Sequence, residues 1–356
     1  MRVPRIGVVM GGCSAERAVS LESGRAVAGA LEEDGADVVR IEIGPDTDAL
    51  RALAGARIDV AFLALHGRFG EDGCVQGLLE LLRVPYTGSG VLASALAMDK
   101  LKAKELFRFH NVPTPPYYVV DTRLDADELA EAHGYFGFPA IVKPRREGSS
   151  IGVSRVENLG ELAAALRSAR RFDASALVER CVSGKEIAVG LLEGRVLGAI
   201  EIAPRGGLYD YAAKYGPGRA EYFLPARLGV TRIQGVLNLA ERAAAAVGTR
   251  GAARVDLIVT EGQNEYVLEV NTLPGMTPQS LLPKIAHAAG YDFVELCHAM
   301  LRSAGLDSER HAAHASMEAR EETAATSFEA DEAAPAYAAT VQRDRSVSPS
   351  QRSRTA

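Results

Sequence analysis

The sequence predicts an α/β protein organised in more than one unit, and three observations lead there. Over the first hundred or so residues, apolar runs of strand length alternate with amphipathic stretches of helix length. Glycine-rich turns close several of those runs, and a proline-rich joint near residue 113 precedes a second series of apolar runs. A chain of 356 residues is long enough for two or three domains with real cores. Its 47% hydrophobic and 24% charged residues are those of a soluble globular protein. The formal net charge of −6 gives no signature of a nucleic-acid or membrane partner. Cys13, Cys74, Cys181 and Cys297 are far apart without a C-x-x-C pair, and read as reduced packing residues. "MRVPRIGVVMGG" is too short an apolar run for a secretory signal, and no run reaches bilayer length, so a cytoplasmic protein is expected.

In chain order, "RIGVVM" is a buried strand, followed by the Gly11-Gly12 turn and an amphipathic helix over residues 15–34. "ADVVRIEI" and "IDVAFLAL" are the second and third strands, the latter ending in His66-Gly67; "GCVQGLLELLR" is helical and "PYTGSG" a turn cluster. Such alternation implies a parallel sheet that takes ligands at the carboxyl ends of its strands. A helix then begins near Met98 and carries Lys100, Lys102 and Lys104. "NVPTPPYYVV", with three prolines, reads as an extended linker. "FPAIVKPRREGSSIGVSRV" is strand, glycine-rich loop, strand; "ALVERCV" and "EIAVGLL" are further strands, Glu186 opening the second. A hairpin over 253–271 and a closing helix near 293–303 complete a second α/β unit. Beyond residue 304 large aliphatic residues nearly vanish, which predicts disorder because too little apolar surface remains to offset the ordering entropy.

Several residues carry chemistry. In "YVLEVNTLPGM", Glu269 and Asn271 are two apart, so the pleat points both to one face. In "ARVDLIV", Arg254 and Asp256 share a face in the same way, and the Gly-containing "TEGQNE" joins the two runs into a hairpin. Closed, it brings Asp256, Glu269 and Asn271 together as hard oxygen ligands for a cation such as Mg²⁺; a polar outer face of a half-solvated hairpin fits the same pattern. Lys143 ends a strand ahead of Gly148, Ser149, Ser150 and Gly152, a loop whose N–H groups can cover phosphates or which is a plain hairpin loop. Glu179 and Glu186 flank a short loop, as nucleotide acceptors or as solvated strand ends. "GGCSAER" lacks the G-x-G-x-x-G spacing. Its Glu16 either captures a substrate ammonium or merely complements a helix dipole. His66 sits at the ligand edge of the predicted sheet, as a functional or a structural histidine. "LYDYAAKY" is a lid or a surface aromatic cluster.

Taken together and in this order, "GGCSAERAVSLESG", "ALHGRFGEDGCVQGLLELLRVPYTGSGVLASALAMDK", "VKPRREGSSIGV", "YDYAAKY", "ARVDLIV" and "LEVNTLPGMTPQSLLP" resemble the D-alanine–D-alanine ligases of the ATP-grasp superfamily, over residues 5–304. The resemblance implies an ATP-grasp fold preceded by a Rossmann-like N-terminal α/β domain. It sets a substrate-binding domain at 1–99, a central subdomain at 100–186 and a metal-bearing C-terminal subdomain at 187–304, leaving 305–356 as the disordered tail. Asp256, Glu269 and Asn271 would hold two Mg²⁺ (or Mn²⁺) ions on the phosphates of ATP. Lys100, Lys143 and Lys214 would contact those phosphates, and Glu179, Arg180, Val182 and Glu186 would line the adenosine pocket, partly through backbone atoms. Glu16 would hold the first D-alanine's ammonium beside His66, with Ser149 and Tyr215 linked to Glu16 to tie the flaps down. Arg254 and the Gly275 N–H would stabilise the oxyanion, and Ser280 and Leu281 would receive the second D-alanine's carboxylate. A homodimer is implied. The nearest alternatives are a D-alanine–D-lactate ligase or another ATP-grasp carboxylate–amine ligase, and the intact Tyr215 favours the dipeptide. Leu273, where relatives often have serine, and Arg145, an added charge in the flap, depart from the pattern.

Overall fold

The computed structural model describes residues 3–205, 219–262 and 264–309. The described residues up to Asp307 form one compact unit. Its first sheet has the order β2-β1-β3, from β1 (Arg5–Gly11), β2 (Asp37–Ile43) and β3 (Val60–Leu63). All three run parallel, with Arg5 opposite Asp37 and Ile6 opposite Val60. Ile6, Val8 and Met10 of β1 pack with Val27, Ala28 and Leu31 of α1 (Arg17–Glu33). Val9 faces the other way, into a cluster with Leu53 of α2 (Ala49–Gly55) and Leu79 of α3 (Cys74–Leu82). A strand covered on both faces must be apolar throughout, which is why "RIGVVM" shows no alternation.

The second sheet is antiparallel, in the order β4-β7-β5-β6, from β4 (Tyr117–Asp121), β5 (Ala140–Pro144), β6 (Ser154–Val156) and β7 (Ser175–Arg180). Ala140, Val142, Ala176 and Val178 pack against Leu129 of α6 (Ala126–His133) and Leu162 and Leu166 of α7 (Leu159–Ala169). By the strand's period of two, Ile141, Lys143 and Glu179 then belong to the opposite face.

The third sheet is also antiparallel, in the order β10-β9-β8-β11-β12, from β8 (Lys185–Leu192), β9 (Arg195–Pro204), β10 (Ala220–Phe223), β11 (Ala252–Val259) and β12 (Glu265–Asn271). One face buries Ile187, Val189, Val255 and Val267 against Phe107 of α5 (Lys100–Phe109) and Val236 and Ala240 of α8 (Val230–Val247), next to Ala93 and Ala97 of α4 (Val91–Met98). The other packs Ala188 and Ile200 on Leu281 and Ile285 of α9 (Leu281–Ala288), and α10 (Phe293–Arg302) closes the unit beside α1. Asp99 caps α5, its carboxylate accepting the Lys102 N–H at 3.2 Å, so the helix begins at Lys100.

The structure differs from the sequence reading in three places. "YYVV" belongs to β4 rather than to a linker: the prolines end at Pro116, and the residues after them are free to pair with β7. The chain changes sheets between Arg180 and Lys185, so the expected division at 186/187 runs through β8. The packed body also continues past residue 304. Gly305 bridges to Tyr86, Leu306 is buried, Arg250 Nη1 donates to Gly305 O at 2.8 Å, and the Asp307 carboxylate accepts the Val91 N–H at 3.1 Å. A chain ending at Ala304 is therefore expected to melt at least about 4 °C below one ending at Glu309, since losing a buried leucine costs roughly 2–5 kcal/mol. Differential scanning calorimetry of the two would show it, and equal melting temperatures would contradict it. Residues 310–356 of the expected tail and the segment 206–218, with Lys214 and Tyr215, lie outside the described residues.

Candidate active site

A cleft of about 480 Å³ opens between the second and third sheets, lined by Lys100, Lys143, Glu179, Arg180, Val182, Glu186 and Glu269 among others. All the described residues expected to contact ATP thus meet on one surface. Glu179 is buried between two ammoniums, with Lys143 Nζ 2.6 Å from one carboxylate oxygen and Lys104 Nζ 2.8 Å from the other. Burial pushes the Glu179 pKa up, but the two lysines outweigh it and hold it below the usual carboxylate value. Burial likewise works against Lys143, and Glu179 overcomes it, so that Lys143 stays protonated above the ordinary lysine value. For Lys104 burial prevails and lowers the pKa, with Glu179 opposing; a carboxylate at 2.8 Å is what retains an ammonium in so dry a place. The Glu179 carboxylate is thus committed to the two lysines.

The loop after β5 closes one end of this cleft. Lys100 Nζ donates to Glu147 O at 2.5 Å and lies 3.8 Å from a Glu269 oxygen. Arg145 grips Asp99 through two hydrogen bonds of 2.7 and 2.6 Å, and Arg146 grips Asp173 at 2.9 and 3.1 Å. The extra charge of Arg145 is therefore neutralised, and it fastens the loop to the start of α5. From the far side of the loop, the Ser149 hydroxyl donates to Glu16 Oε1.

Glu16, just before α1, is buried at the carboxyl edge of the first sheet. Two glycines press on its carboxylate: a Cβ at Gly67 would lie 2.6 Å from Oε2, and one at Gly148 2.5 Å from it. Ser14 Oγ donates to His66 O at 2.7 Å and accepts the Glu16 N–H at 3.2 Å. His66, also buried, lies with Nδ1 3.4 Å from Glu71 Oε1 and Nε2 3.3 Å from Ser23 Oγ. The same Ser23 hydroxyl accepts the Met276 N–H at 3.2 Å, joining this pocket to the turn beyond β12.

Burial alone would lower the His66 pKa, but the hydrogen bond and charge of Glu71, with Glu16 adding, outweigh burial and the opposing Arg254 and raise it above 6.5. A raised folded value means that protonation stabilises the fold fully below the unfolded value near 6.5, and that this increment is lost as pH rises through the folded value. Glu71→Gln is expected to lower the His66 pKa and to remove the part of the pH dependence of stability that His66 contributes. Ring titration by NMR and denaturation at pH 6 and pH 9 check this, and an unchanged titration would contradict it.

On the third sheet, Asp256 stands opposite Glu269 and Arg254 opposite Asn271, so four polar side chains form a block on one face. The register shift just after Asp256 places the bulge of β12 at Leu268 and keeps Glu269 and Asn271 on that face. Arg254 clasps Asp256 by two hydrogen bonds of 2.7 and 2.9 Å, and Asn271 Nδ2 donates to Asp256 Oδ2 at 3.2 Å. Among the described residues no group of three or more His, Cys, Asp or Glu is spaced for a metal. Two carboxylates and an amide oxygen nonetheless fit Mg²⁺, which takes few protein oxygens and completes its shell with water and phosphate. Beyond the turn, Ser280 caps α9 without using its side chain on the helix; its Oγ accepts the Thr277 N–H at 3.0 Å. The N–H of Leu281 thus opens a helix terminus suited to a carboxylate. Gly275 lies against Ser280 Oγ, 2.8 Å from where a Cβ would stand. Leu273 is buried in the cluster that includes Val9, Leu63 and Leu79.

Four participants escaped the sequence reading: Lys104, Glu71, Ser14 and Ser23. Lys104 had a signal, since i and i+4 place it on the helix face of Lys100. Ser23 acts through contacts with His66 and Met276, distant in sequence, and Ser14 through His66 as well as its near neighbour Glu16. Glu71, by contrast, meets His66 across a loop only five residues along.

A family model described as the D-ala D-ala ligase C-terminus matches residues 106–302, and one described as the D-ala D-ala ligase N-terminus matches residues 46–89. The D-alanine--D-alanine ligase of Geotalea uraniireducens (strain Rf4) is 51% identical over 306 residues, 86% of this chain and 97% of that protein. Crystal structures of the D-alanine--D-alanine ligase from Bacillus anthracis are similar over most of the chain. One aligns with a TM-score of 0.74 at 36% identity, and one complexed with ATP with 0.73 at 33%; each covers 84% of this chain and 97% of that one.

Proposed function

The chain belongs to the D-alanine–D-alanine ligase family, and on that premise we propose that it joins two D-alanines into D-alanyl-D-alanine with conversion of ATP to ADP and phosphate. The dipeptide is a building block of peptidoglycan precursors. The observation that carries this reading is that one loop, 145–152, serves both halves of the site. Glu147 and Ser150 of this loop line the nucleotide cleft while Ser149 of the same loop holds Glu16. The two antiparallel sheets around that cleft are the halves of an ATP-grasp fold.

Glu16 binds the first D-alanine's ammonium and thereby orients its carboxylate toward the nucleotide. A carboxylate oxygen attacks the γ-phosphorus, ADP leaves, and an acyl phosphate forms. Lys100, Lys143 and Lys214 neutralise the phosphates, so positioning and electrostatics do most of the work. Two Mg²⁺ (or Mn²⁺) ions held by Asp256, Glu269 and Asn271 would supply further charge neutralisation on those phosphates. Ser280 and the Leu281 N–H receive the second D-alanine's carboxylate, and its amine attacks the acyl carbonyl. Arg254, fixed on Asp256, and the Gly275 N–H stabilise the oxyanion; its collapse expels phosphate, and the amine loses its proton. The loop over 145–152 keeps water from the acyl phosphate.

Choice of D-alanine over D-lactate is assigned to Tyr215, by resemblance. We further propose, by resemblance to the family, assembly as a homodimer and a cytoplasmic location. No described helix is long and apolar enough to cross a membrane. Phosphate release from ATP in the presence of D-alanine alone, D-lactate alone and both tests the reading. Release that needs D-alanine, with dipeptide as the main product under competition, is expected. Depsipeptide as the main product, or release indifferent to D-alanine, would refute it.

A further inference from the structure

We propose that Lys104 is a positioning residue for nucleotide binding: it takes up the charge of Glu179, so that Lys143 presents its own charge to the phosphates. This rests on the ATP-dependent reading above. Lys104 lies one helical turn beyond Lys100 on α5 and turns inward, whereas Lys102 turns outward and pairs with Glu105 at 2.8 Å. The Lys104 side chain is 1% exposed, so it cannot touch a nucleotide, whereas that of Lys143 is 14% exposed and lines the cleft. The two ammoniums share the single Glu179 carboxylate, which leaves one net positive charge in the group. Without Lys104 the remaining Glu179–Lys143 pair is neutral, and the phosphates meet a cancelled lysine.

A second link runs to the hairpin that carries Asp256 and Glu269. The Lys104 ammonium donates to Thr114 Oγ1, and that hydroxyl donates to Val267 O at 2.8 Å, two residues before Glu269 on β12. One buried cation thus holds the phosphate lysine and the acidic hairpin in a fixed relation. A lysine that only stabilised the fold would sit here too, so the test has to read charge rather than stability.

Lys104→Met is expected to weaken binding of a non-hydrolysable ATP analogue with Mg²⁺ about tenfold by titration calorimetry, and to leave the KM for D-alanine within about twofold. Adding Glu179→Gln leaves Lys143 alone with one positive charge, and is expected to bring the affinity back to within about threefold of wild type. Lys104→Arg, which keeps the charge, is expected to stay within the same range. Should the methionine variant fail to fold, Lys104→Gln can still donate to Glu179 without a charge and is expected to show the same tenfold loss. Wild-type affinity in a folded, neutral Lys104 variant, or a double variant no better than the single one, would overturn the proposal. A wild-type protein that bound no nucleotide would instead overturn the functional reading, and this inference with it.

Discussion

Glu269→Gln is expected to lower kcat by at least about a thousandfold, because a bound metal supplies several kcal/mol of transition-state stabilisation and each 1.4 kcal/mol is tenfold. Glu269 stands directly opposite Asp256 across the hairpin and 3.8 Å from Lys100, at the junction of the acidic block and the phosphate cradle. Its removal should spare the fold. The side chain is 26% exposed, and the pairing of β11 with β12 uses backbone groups that glutamine leaves in place. The amide keeps one acceptor oxygen and loses the charge, so the effect isolates electrostatics. Turnover and Mg²⁺-dependent nucleotide binding should fall together. A folded variant with turnover within about tenfold of wild type and an unchanged Mg²⁺ requirement would remove Glu269 from the metal site.

Glu16→Gln is expected to raise the KM for the first D-alanine about ten- to hundredfold, the range set by roughly 1.5–3 kcal/mol for a hydrogen bond to a charged group. Its carboxylate is buried, braced by Ser149 and hemmed in by Gly67 and Gly148, so the substitution cannot relax by swinging into water. Glutamine preserves the shape and can still accept from Ser149, so the nucleotide cleft should be undisturbed and the KM for ATP should stay within about twofold. Steady-state kinetics with each substrate varied in turn separates the two. A rise in both, or in neither, would contradict the assignment of Glu16 to the substrate ammonium.

The sequence made the strands and the hairpin legible because they depend on local pattern. "RIGVVM" had to be buried on both faces, and the two-residue spacings in "ARVDLIV" and "YVLEVN" dictated which side chains share a face. The convergence of Asp256, Glu269 and Asn271 then needed only a closed hairpin. What stayed hidden depends on pairing between distant segments. The strand order β4-β7-β5-β6 has no local mark, so the sheet change before Lys185 could not be placed and Tyr117–Asp121 looked like linker. Leu306 is one leucine in a polar stretch and shows no periodicity, although it fills a core position. The direction of the Glu179 carboxylate, toward Lys104 and Lys143 rather than toward an adenosine, required a helix and two strands to be in place. The Glu16–Ser149 link between residues 133 apart came from resemblance alone, and the structure contains it.

The central claim is that D-alanine is activated through its carboxylate by phosphoryl transfer. D-Alanine labelled with ¹⁸O in both carboxylate oxygens tests it most directly, with the released phosphate read by mass spectrometry. Attack of a carboxylate oxygen on the γ-phosphorus leaves that oxygen on the phosphate expelled in the second step, so each phosphate should carry one ¹⁸O atom per dipeptide formed. Unlabelled phosphate accompanying D-alanine-dependent turnover would mean that water or another group accepted the phosphoryl, and would contradict the account.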